Sequence, residues 1–202
     1  MRSRHLVSHL VWLGTMVEIA DFVSEGPVEP EVIEAYRGRV PDEVIEVWET
    51  YGYGTFGEGF FRLINPAVYQ AELGDCIGKT EGDGIAIPVM VTGLADLVTW
   101  EPSIGGFVGI KYREGTIEGL NKRFGGIVFF LNRNADRYLT RMFNWGIFRE
   151  AVAAHGELAF EESFVFVPLR SLGGAAKVEN LKKRETIAAI QTMVETQGVI
   201  GH

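Results

Sequence analysis

The sequence is poor in residues that bind metals or form disulfides, with one cysteine, Cys76, and four histidines. A single cysteine forms no internal disulfide and supplies no cysteine cluster for zinc or iron–sulfur ligation. The histidines are scattered along the chain, at His5, His9, His155 and His202. We therefore predict no metal site and no cofactor, and we interpret Cys76 as a small buried side chain and His155 as a helix-end residue.

Long apolar runs are also missing. No stretch approaches the roughly 20 apolar residues that a membrane span requires. Two arginines precede an apolar stretch at the N-terminus, but His9 interrupts it and no small-x-small cleavage site follows, so it is a poor signal peptide. We predict a cytoplasmic protein, with residues 1–15 as an N-terminal extension for which disorder is one interpretation.

Signatures of catalysis are absent from the sequence. It has no Gly-x-Ser-x-Gly elbow, no phosphate-binding Gly-Lys-Ser/Thr and no His-Glu-x-x-His. Adjacent carboxylates such as Glu161-Glu162 do not by themselves indicate acid–base chemistry, because solvated surfaces carry the same pattern. We predict no catalytic residues and a protein that is not an enzyme.

Acidic residues outnumber basic ones, 27 to 19, which gives a net charge of −8. Binding to nucleic acid needs a basic surface that neutralises phosphates, so nucleic acid is disfavoured as a direct ligand. An acidic surface instead favours a basic protein partner, although ordinary solubility explains the same balance.

Hydrophobic periodicity predicts helices at both ends of a run of short strands. The predicted helices cover residues 16–24, 31–39, 40–52, 66–77, two pieces within 135–156 that divide near 144–146, and 184–198. The predicted strands cover residues 60–66, 84–93, 96–102, 105–113 and 125–132, with a strand or extended turn in 157–174. This order predicts an α+β fold, in which a short antiparallel sheet flanked by helices is followed by a smaller, mainly helical second domain packed against it.

The stretch GYGTFGEG, at 52–59, has the spacing Gly52-x-Gly54-x-x-Gly57 that many nucleotide-binding loops use. In such loops a strand leads into the glycines and a helix leaves them, so that phosphate meets free N–H groups. Here a predicted helix ends at the glycines and a strand follows, which would place phosphate against helix carbonyls. We interpret the stretch as a helix stop and turn, with a nucleotide or small-molecule site as the alternative.

Two longer motifs resemble a known pair of domains. The stretch VPDEVIEVWETYGYGTFGEGFFRLINP, at 40–66, resembles the GAD-like domain through its spaced Pro, Trp, Tyr, Gly and Phe residues. The later stretch EESFVFVPLRSLGG, at 161–174, resembles the C-terminal domain that accompanies it, although Phe164 replaces a tyrosine and Arg170-Ser171 enters an apolar run. We predict a GAD-like domain over 16–112 and the immunity-family domain over 113–202.

The resemblance implies an immunity protein of a type VI secretion system. Such a protein binds and neutralises a cognate DNase effector in the producing cell, needs no cofactor, and works by occluding or distorting the toxin active site. An acidic surface would speed its association with a basic, DNA-binding toxin. A regulatory module with a host partner is a further alternative, because it would also bind its partner through such a surface.

The aromatic residues of the two motifs are expected in the core: Trp48, Phe56, Phe60, Phe164 and Phe166. Partner contacts are expected in acidic loops and at Arg170, which departs from the apolar family pattern. These candidate partner-binding residues are Glu58, Asp75, Glu81, Asp83, Glu161, Glu162 and Arg170.

Overall fold

The computed structural model of the protein describes residues 17–78 and 85–201. Its centre is one seven-stranded antiparallel sheet in which the strands lie side by side in chain order. The strands are β1 (Val23–Gly26), β2 (Tyr53–Phe56), β3 (Phe61–Leu63), β4 (Ile87–Thr92), β5 (Leu97–Glu101), β6 (Gly106–Lys111) and β7 (Thr116–Asn121). The predicted antiparallel meander is confirmed, and the sheet contains three strands beyond the predicted ones: β1, β2 and β7.

Six α-helices and a separate hairpin surround this sheet. The helices are α1 (Pro30–Tyr36), α2 (Asp42–Tyr51), α3 (Pro66–Ile77), α4 (Phe124–Phe143), α5 (Trp145–His155) and α6 (Thr186–Gln197). The hairpin pairs β8 (Glu162–Phe166) with β9 (Leu181–Glu185) in antiparallel register. The predicted α+β fold, with a mainly helical C-terminal part, is confirmed.

The sheet has a hydrophobic core on each face. Neighbouring strand residues such as Leu97 and Val98 belong to different buried clusters, and successive strand residues point to opposite faces. One cluster packs the sheet against α1, α2, α4 and α5, and the other packs it against α3 and α6. The sheet is therefore the middle layer between two helical layers.

Aromatic rings join the N-terminal and C-terminal parts of the chain in the first cluster. The Phe60 ring centre lies 5.1 Å from that of Phe61, 5.8 Å from that of Phe143 and 5.0 Å from that of Phe148. Phe148 in turn lies 6.1 Å from Phe164 of β8. All the motif aromatics expected in the core are buried: Trp48, Phe56, Phe60, Phe164 and Phe166.

Local sequence explains where several helices begin and end. Asn65 caps α3, since its Oδ1 accepts from the N–H groups of Ala67 at 2.9 Å and Val68 at 3.4 Å. Helix α2 ends at Gly52, whose φ of 77° and close approach to β1 admit only glycine: a Cβ there would lie 2.1 Å from the carbonyl oxygen of Gly26. Asn144, with φ of 54°, separates α4 from α5 and confirms the predicted division.

Two predicted elements are wrong. The predicted helix over 16–24 is absent from residues 17–24, where β1 begins at Val23 and pairs with β2; tertiary pairing overrides a short amphipathic pattern. The predicted strand over 125–132 lies within α4. Its buried residues Phe124, Ile127, Val128 and Leu131 follow the i, i+3, i+4, i+7 spacing of a helix face.

The division of the chain at 112/113 stays a prediction. Strand β7 continues the sheet beyond it, and the buried clusters combine side chains from both sides of it. The proposed extension over residues 1–15 lies outside the described ranges.

Candidate docking surfaces and the domain junction

The predicted helix stop at Gly52 is found, but residues 53–56 of the predicted turn form strand β2, and the turn begins at Gly57. A carboxylate of the chain itself holds this turn. The N–H of Gly57 donates to Oδ1 of Asp21 at 3.1 Å, and the N–H of Glu58 donates to Oδ2 at 2.7 Å. Gly52 and Gly54 pack against β1, where a Cβ on Gly54 would lie 2.3 Å from the carbonyl oxygen of Val23. The donors that a phosphate would need at Gly57 and Glu58 are thus already bonded to an anion.

Glu58 points outward from this turn. It has a φ of 56°, and its exposed carboxylate lies 3.5 Å from Nε of Arg149 on α5. Arg149 also pairs with Asp136 at 3.2 Å. Because all three side chains are exposed, this group is a mixed-charge surface beside α5.

Glu161 and Glu162 lie where β8 begins. The carboxylate of Glu162 accepts from the N–H of Ala159 at 3.0 Å, whereas the side chain of Glu161 is exposed. Glu162 is opposite Glu185 of β9, and Glu185 caps α6 by accepting from two N–H groups of its first turn. The structure therefore brings the two predicted carboxylates together with a third that the sequence did not single out.

Behind these carboxylates lies Arg62 of β3, a buried arginine that joins the two parts of the chain. Its Nη2 donates to Thr92 O at 2.8 Å and to Ser163 Oγ at 2.6 Å. Its Nη1 acceptors are Phe160 O at 2.7 Å, Thr186 Oγ1 at 3.4 Å and Glu162 O. Burial lowers the pKa of Arg62 to about 10, while Tyr69 and nearby glutamates oppose that shift. Arg62 is therefore a charged junction of β3, β4, β8 and α6.

A second buried arginine ties the sheet to α4. Arg113 Nη2 lies 2.9 Å from the carboxylate of Asp96 and 2.8 Å from the carbonyl oxygen of Phe143, the last residue of α4. Its Nη1 pairs with Glu114 at 2.6 Å. Since charged groups cut off from water need such partners, the two arginines fix the C-terminal elements on the sheet.

The remaining predicted partner contacts are spread over other surfaces. Asp75 is exposed in the last turn of α3, and the pKa of neighbouring Cys76 is raised by burial and by the carboxylates of Asp75 and Glu195. Arg170 follows β8, donates from Nη1 to Gly174 O at 3.1 Å and lies 5.8 Å from the Phe166 ring centre. Glu81 and Asp83 lie outside the described residues.

Other functional features of the sequence can be placed as well. Cys76 is buried and free, as predicted. His155 ends α5, and its Nε2 lies 3.1 Å from the carbonyl oxygen of Val178. Over residues 17–78 and 85–201, no group of three or more His, Cys, Asp or Glu side chains is placed to hold a metal ion. In the same ranges, no helix combines the length and apolarity needed to cross a membrane.

The comparison with solved structures supports the fold. A crystal structure titled Atu4351 from Agrobacterium tumefaciens superposes with a TM-score of 0.66 at 15% sequence identity. The match covers 86% of this chain and 85% of that one. No curated protein matches the chain.

The fold and its two junctions define an α+β protein in which two sequence regions share one layered body. Residues 12–113 match the GAD-like domain, and the chain belongs to this family. Residues 127–188 match the C-terminal domain of the type VI secretion system immunity protein Tdi1. This is the domain order that the motifs predicted; it supports a type VI secretion system immunity protein and suggests a non-catalytic inhibitor.

Proposed function

We propose that the protein binds a cognate DNase effector in the cytoplasm of the producing cell and neutralises it by occluding or distorting the nuclease site. The observation that carries the proposal is the pairing of a GAD-like domain with a Tdi1-type C-terminal domain in one chain. Neutralisation by binding requires affinity and no chemistry of its own, so the proposal needs neither a cofactor nor a catalytic residue.

Buried contacts between the two family regions favour such a role. The Arg62 and Arg113 junctions bond elements from both family regions to each other inside the protein. A preorganised binder loses little conformational entropy when it meets its partner, and more of the contact energy then appears as affinity.

The charge of the protein favours a basic partner. A net charge of −8 accelerates encounter with a DNA-binding toxin through long-range attraction. We propose that the rim of the docking surface draws its carboxylates from among Glu58, Asp75, Glu161 and Glu162, which lie on separate surfaces, with Arg170 as a pair-specific contact. Glu81 and Asp83 remain candidates for the same rim.

Binding to the toxin encoded beside this gene tests the proposal. A catalytically inactive copy of that toxin is expected to copurify with the protein in a fixed ratio, and the protein is expected to stop DNA cleavage by the active toxin at that ratio. An unrelated DNase serves as the control. Absence of a complex at micromolar concentration would falsify the proposal.

A DNA-binding assay then separates the two mechanisms. If the protein occludes the nuclease site, the inactive toxin loses its affinity for DNA when the complex forms. If it distorts the site, the inactive toxin keeps bound DNA in a ternary complex while the active toxin stops cutting.

No contact favours the alternative of a nucleotide or small-molecule site at 52–59, because Asp21 already bonds the N–H groups of Gly57 and Glu58. A thermal-shift screen against nucleotides checks this alternative. A tight ligand at a hundredfold excess over its Kd would add about 2.7 kcal/mol of stability.

A further inference from the structure

A groove of ≈ 600 Å³ lies between β7 and α4. Leu120 of β7 and Phe130, Tyr138 and Met142 of α4 supply its apolar lining. Strand β7 is an edge of the sheet, paired only with β6 among the described strands. The groove is thus bordered by an open strand edge and an aromatic helix surface.

Three arginines of α4 line this groove: Arg133, Arg137 and Arg141. All three are exposed, and among the described residues their guanidinium groups form no ion pair or hydrogen bond. Arg113 and Arg149, in contrast, each pair with two carboxylates. The groove therefore concentrates unpaired positive charge on a protein whose net charge is −8.

A break in α4 shapes the groove. Asn134 has non-helical angles (φ −160°, ψ 71°), and its Oδ1 accepts from the N–H of Arg137 at 3.1 Å. The side chain thus caps the second half of the helix. Arg133 lies before this break and Arg137 after it, yet both face the same groove.

Two aromatic side chains are exposed here: Phe130, which lines the groove, and Phe129, which lies next to it outside the groove lining. Phe129 and Phe130 are 55% and 47% exposed, and the Phe130 ring stacks on Tyr138 at 5.5 Å between centres. The Tyr138 hydroxyl is buried with no hydrogen-bond partner among the described residues. Exposed aromatics beside arginines are the composition that recurs at the centres of protein interfaces.

We infer that this groove docks a segment of the partner toxin that places an apolar side chain between β7 and α4 and carboxylates against Arg133, Arg137 and Arg141. The inference rests on the proposed function and specifies a surface for it. A toxin that is basic overall would use a local acidic segment here, because unpaired arginines attract carboxylates and form bidentate bonds with them.

A protein segment fits the groove better than a nucleic acid. The protein carries a net charge of −8, which disfavours a polyanion such as nucleic acid as its ligand. One face of Phe130 already packs on Tyr138, so less ring surface is free for base stacking.

The affinity of the complex with the inactive toxin tests this inference. The double variant Arg133→Ala and Arg137→Ala is expected to raise Kd about 100-fold, about tenfold for each arginine. The matched control removes two exposed arginines from other surfaces, Arg39→Ala and Arg184→Ala, with the same change in net charge. Its Kd is expected to stay within about threefold of the wild type.

The outcomes separate the inference from the proposed function. If the wild type does not bind the toxin, the proposed function fails and the inference with it. If the wild type binds and the groove variant binds equally well, with an unchanged unfolding temperature, the inference alone is wrong.

Two further measurements address the position and the chemistry of the ligand. Amide hydrogen exchange in the complex is expected to slow in β7 and across residues 124–143, and unchanged exchange there would overturn the inference. Micromolar binding of a single-stranded oligonucleotide to the wild type but not to the groove variant would overturn the inference and indicate that the groove binds nucleic acid.

Discussion

Arg62 and the three groove arginines carry the same guanidinium group in opposite surroundings. Arg62 is 1% exposed and donates to five acceptors of its own chain. Arg133, Arg137 and Arg141 are exposed and form no hydrogen bond or ion pair with a described side chain, although Arg133 lies 5.8 Å from the Phe129 ring centre. A buried cation must be satisfied by the fold, whereas an exposed one without partners is free for another molecule. The contacts of Arg62 contribute to the stability of the fold, and the exposed arginines indicate where a partner could gain binding energy.

Replacing Arg62 by methionine should give the largest effect in this comparison. Arg62→Met leaves the acceptors in the junction without their donor, and we expect the free energy of unfolding to fall by about 3–5 kcal/mol. Urea denaturation followed by circular dichroism measures the loss. Arg62→Lys keeps the charge but not the planar guanidinium, so its free energy of unfolding is expected to lie between those of the wild type and Arg62→Met. A loss below about 1 kcal/mol for Arg62→Met would show that the junction contributes little.

Removing one oxygen from the same junction should have an intermediate effect. Ser163 Oγ lies 2.6 Å from Nη2 of Arg62 and 2.8 Å from Oγ1 of Thr186, and all three side chains are buried. We expect Ser163→Ala to cost about 1–3 kcal/mol in the same denaturation experiment. Ser171→Ala, at an exposed serine, is the control. An equal loss of stability in the two variants would contradict a stabilising role for the hydrogen bonds of Ser163.

Removing one oxygen from the groove should increase the stability of the protein or leave it unchanged. The Tyr138 hydroxyl is buried without a described partner, so Tyr138→Phe removes a polar group that folding leaves unsatisfied. We expect a change between zero and about 1 kcal/mol of added stability, measured by thermal unfolding. A loss as large as that of Ser163→Ala would mean that the hydroxyl is bonded in solution.

The smallest effect on stability is expected at Arg137. Its guanidinium forms no hydrogen bond or ion pair with a described residue, so Arg137→Ala should change the free energy of unfolding by less than about 0.5 kcal/mol. Thermal unfolding should therefore give a midpoint within about 2 °C of the wild type. A clear loss of stability would show that Arg137 supports the fold, and the contrast with Arg62 would disappear.

The sequence predicted the middle of the protein well because its signals there are local. The strands over 84–113 are short and separated by turn residues, and α3 carries its own cap at Asn65 and a stop at Gly78. The buried aromatics of the two motifs were also predictable, since their spacing matches helix and strand periods. These features depend on near neighbours along the chain.

Of the two wrong elements, one was decided by a contact distant along the chain and the other by a helical spacing that the prediction did not follow. Strand β1 exists because Val23 pairs with Thr55 of β2, which no local pattern reveals. The apolar run at 125–132 fits a strand or a buried helix equally well until the spacing from Phe124 to Leu131 is followed. With that run predicted as a strand, Arg133 was not placed on the same helix as Arg137 and Arg141.

Arg62 was missed, although the sequence held a signal for it. It is the only charged residue in the apolar stretch FFRLI, and a charge within a buried strand demands partners. Its partners lie about 100 positions later in the chain, which a single sequence cannot indicate. The predicted carboxylates were found by composition, and their roles at docking stay predictions.

The chemistry of the Arg62 acceptors has a consequence for how such proteins diversify. Three of the five are main-chain carbonyls, those of Thr92, Phe160 and Glu162. A main-chain oxygen is supplied by any amino acid, so substitution at positions 160 and 162 leaves those two bonds in place. The hairpin can therefore accumulate new side chains to follow a changing toxin while the arginine continues to hold it in register with the sheet.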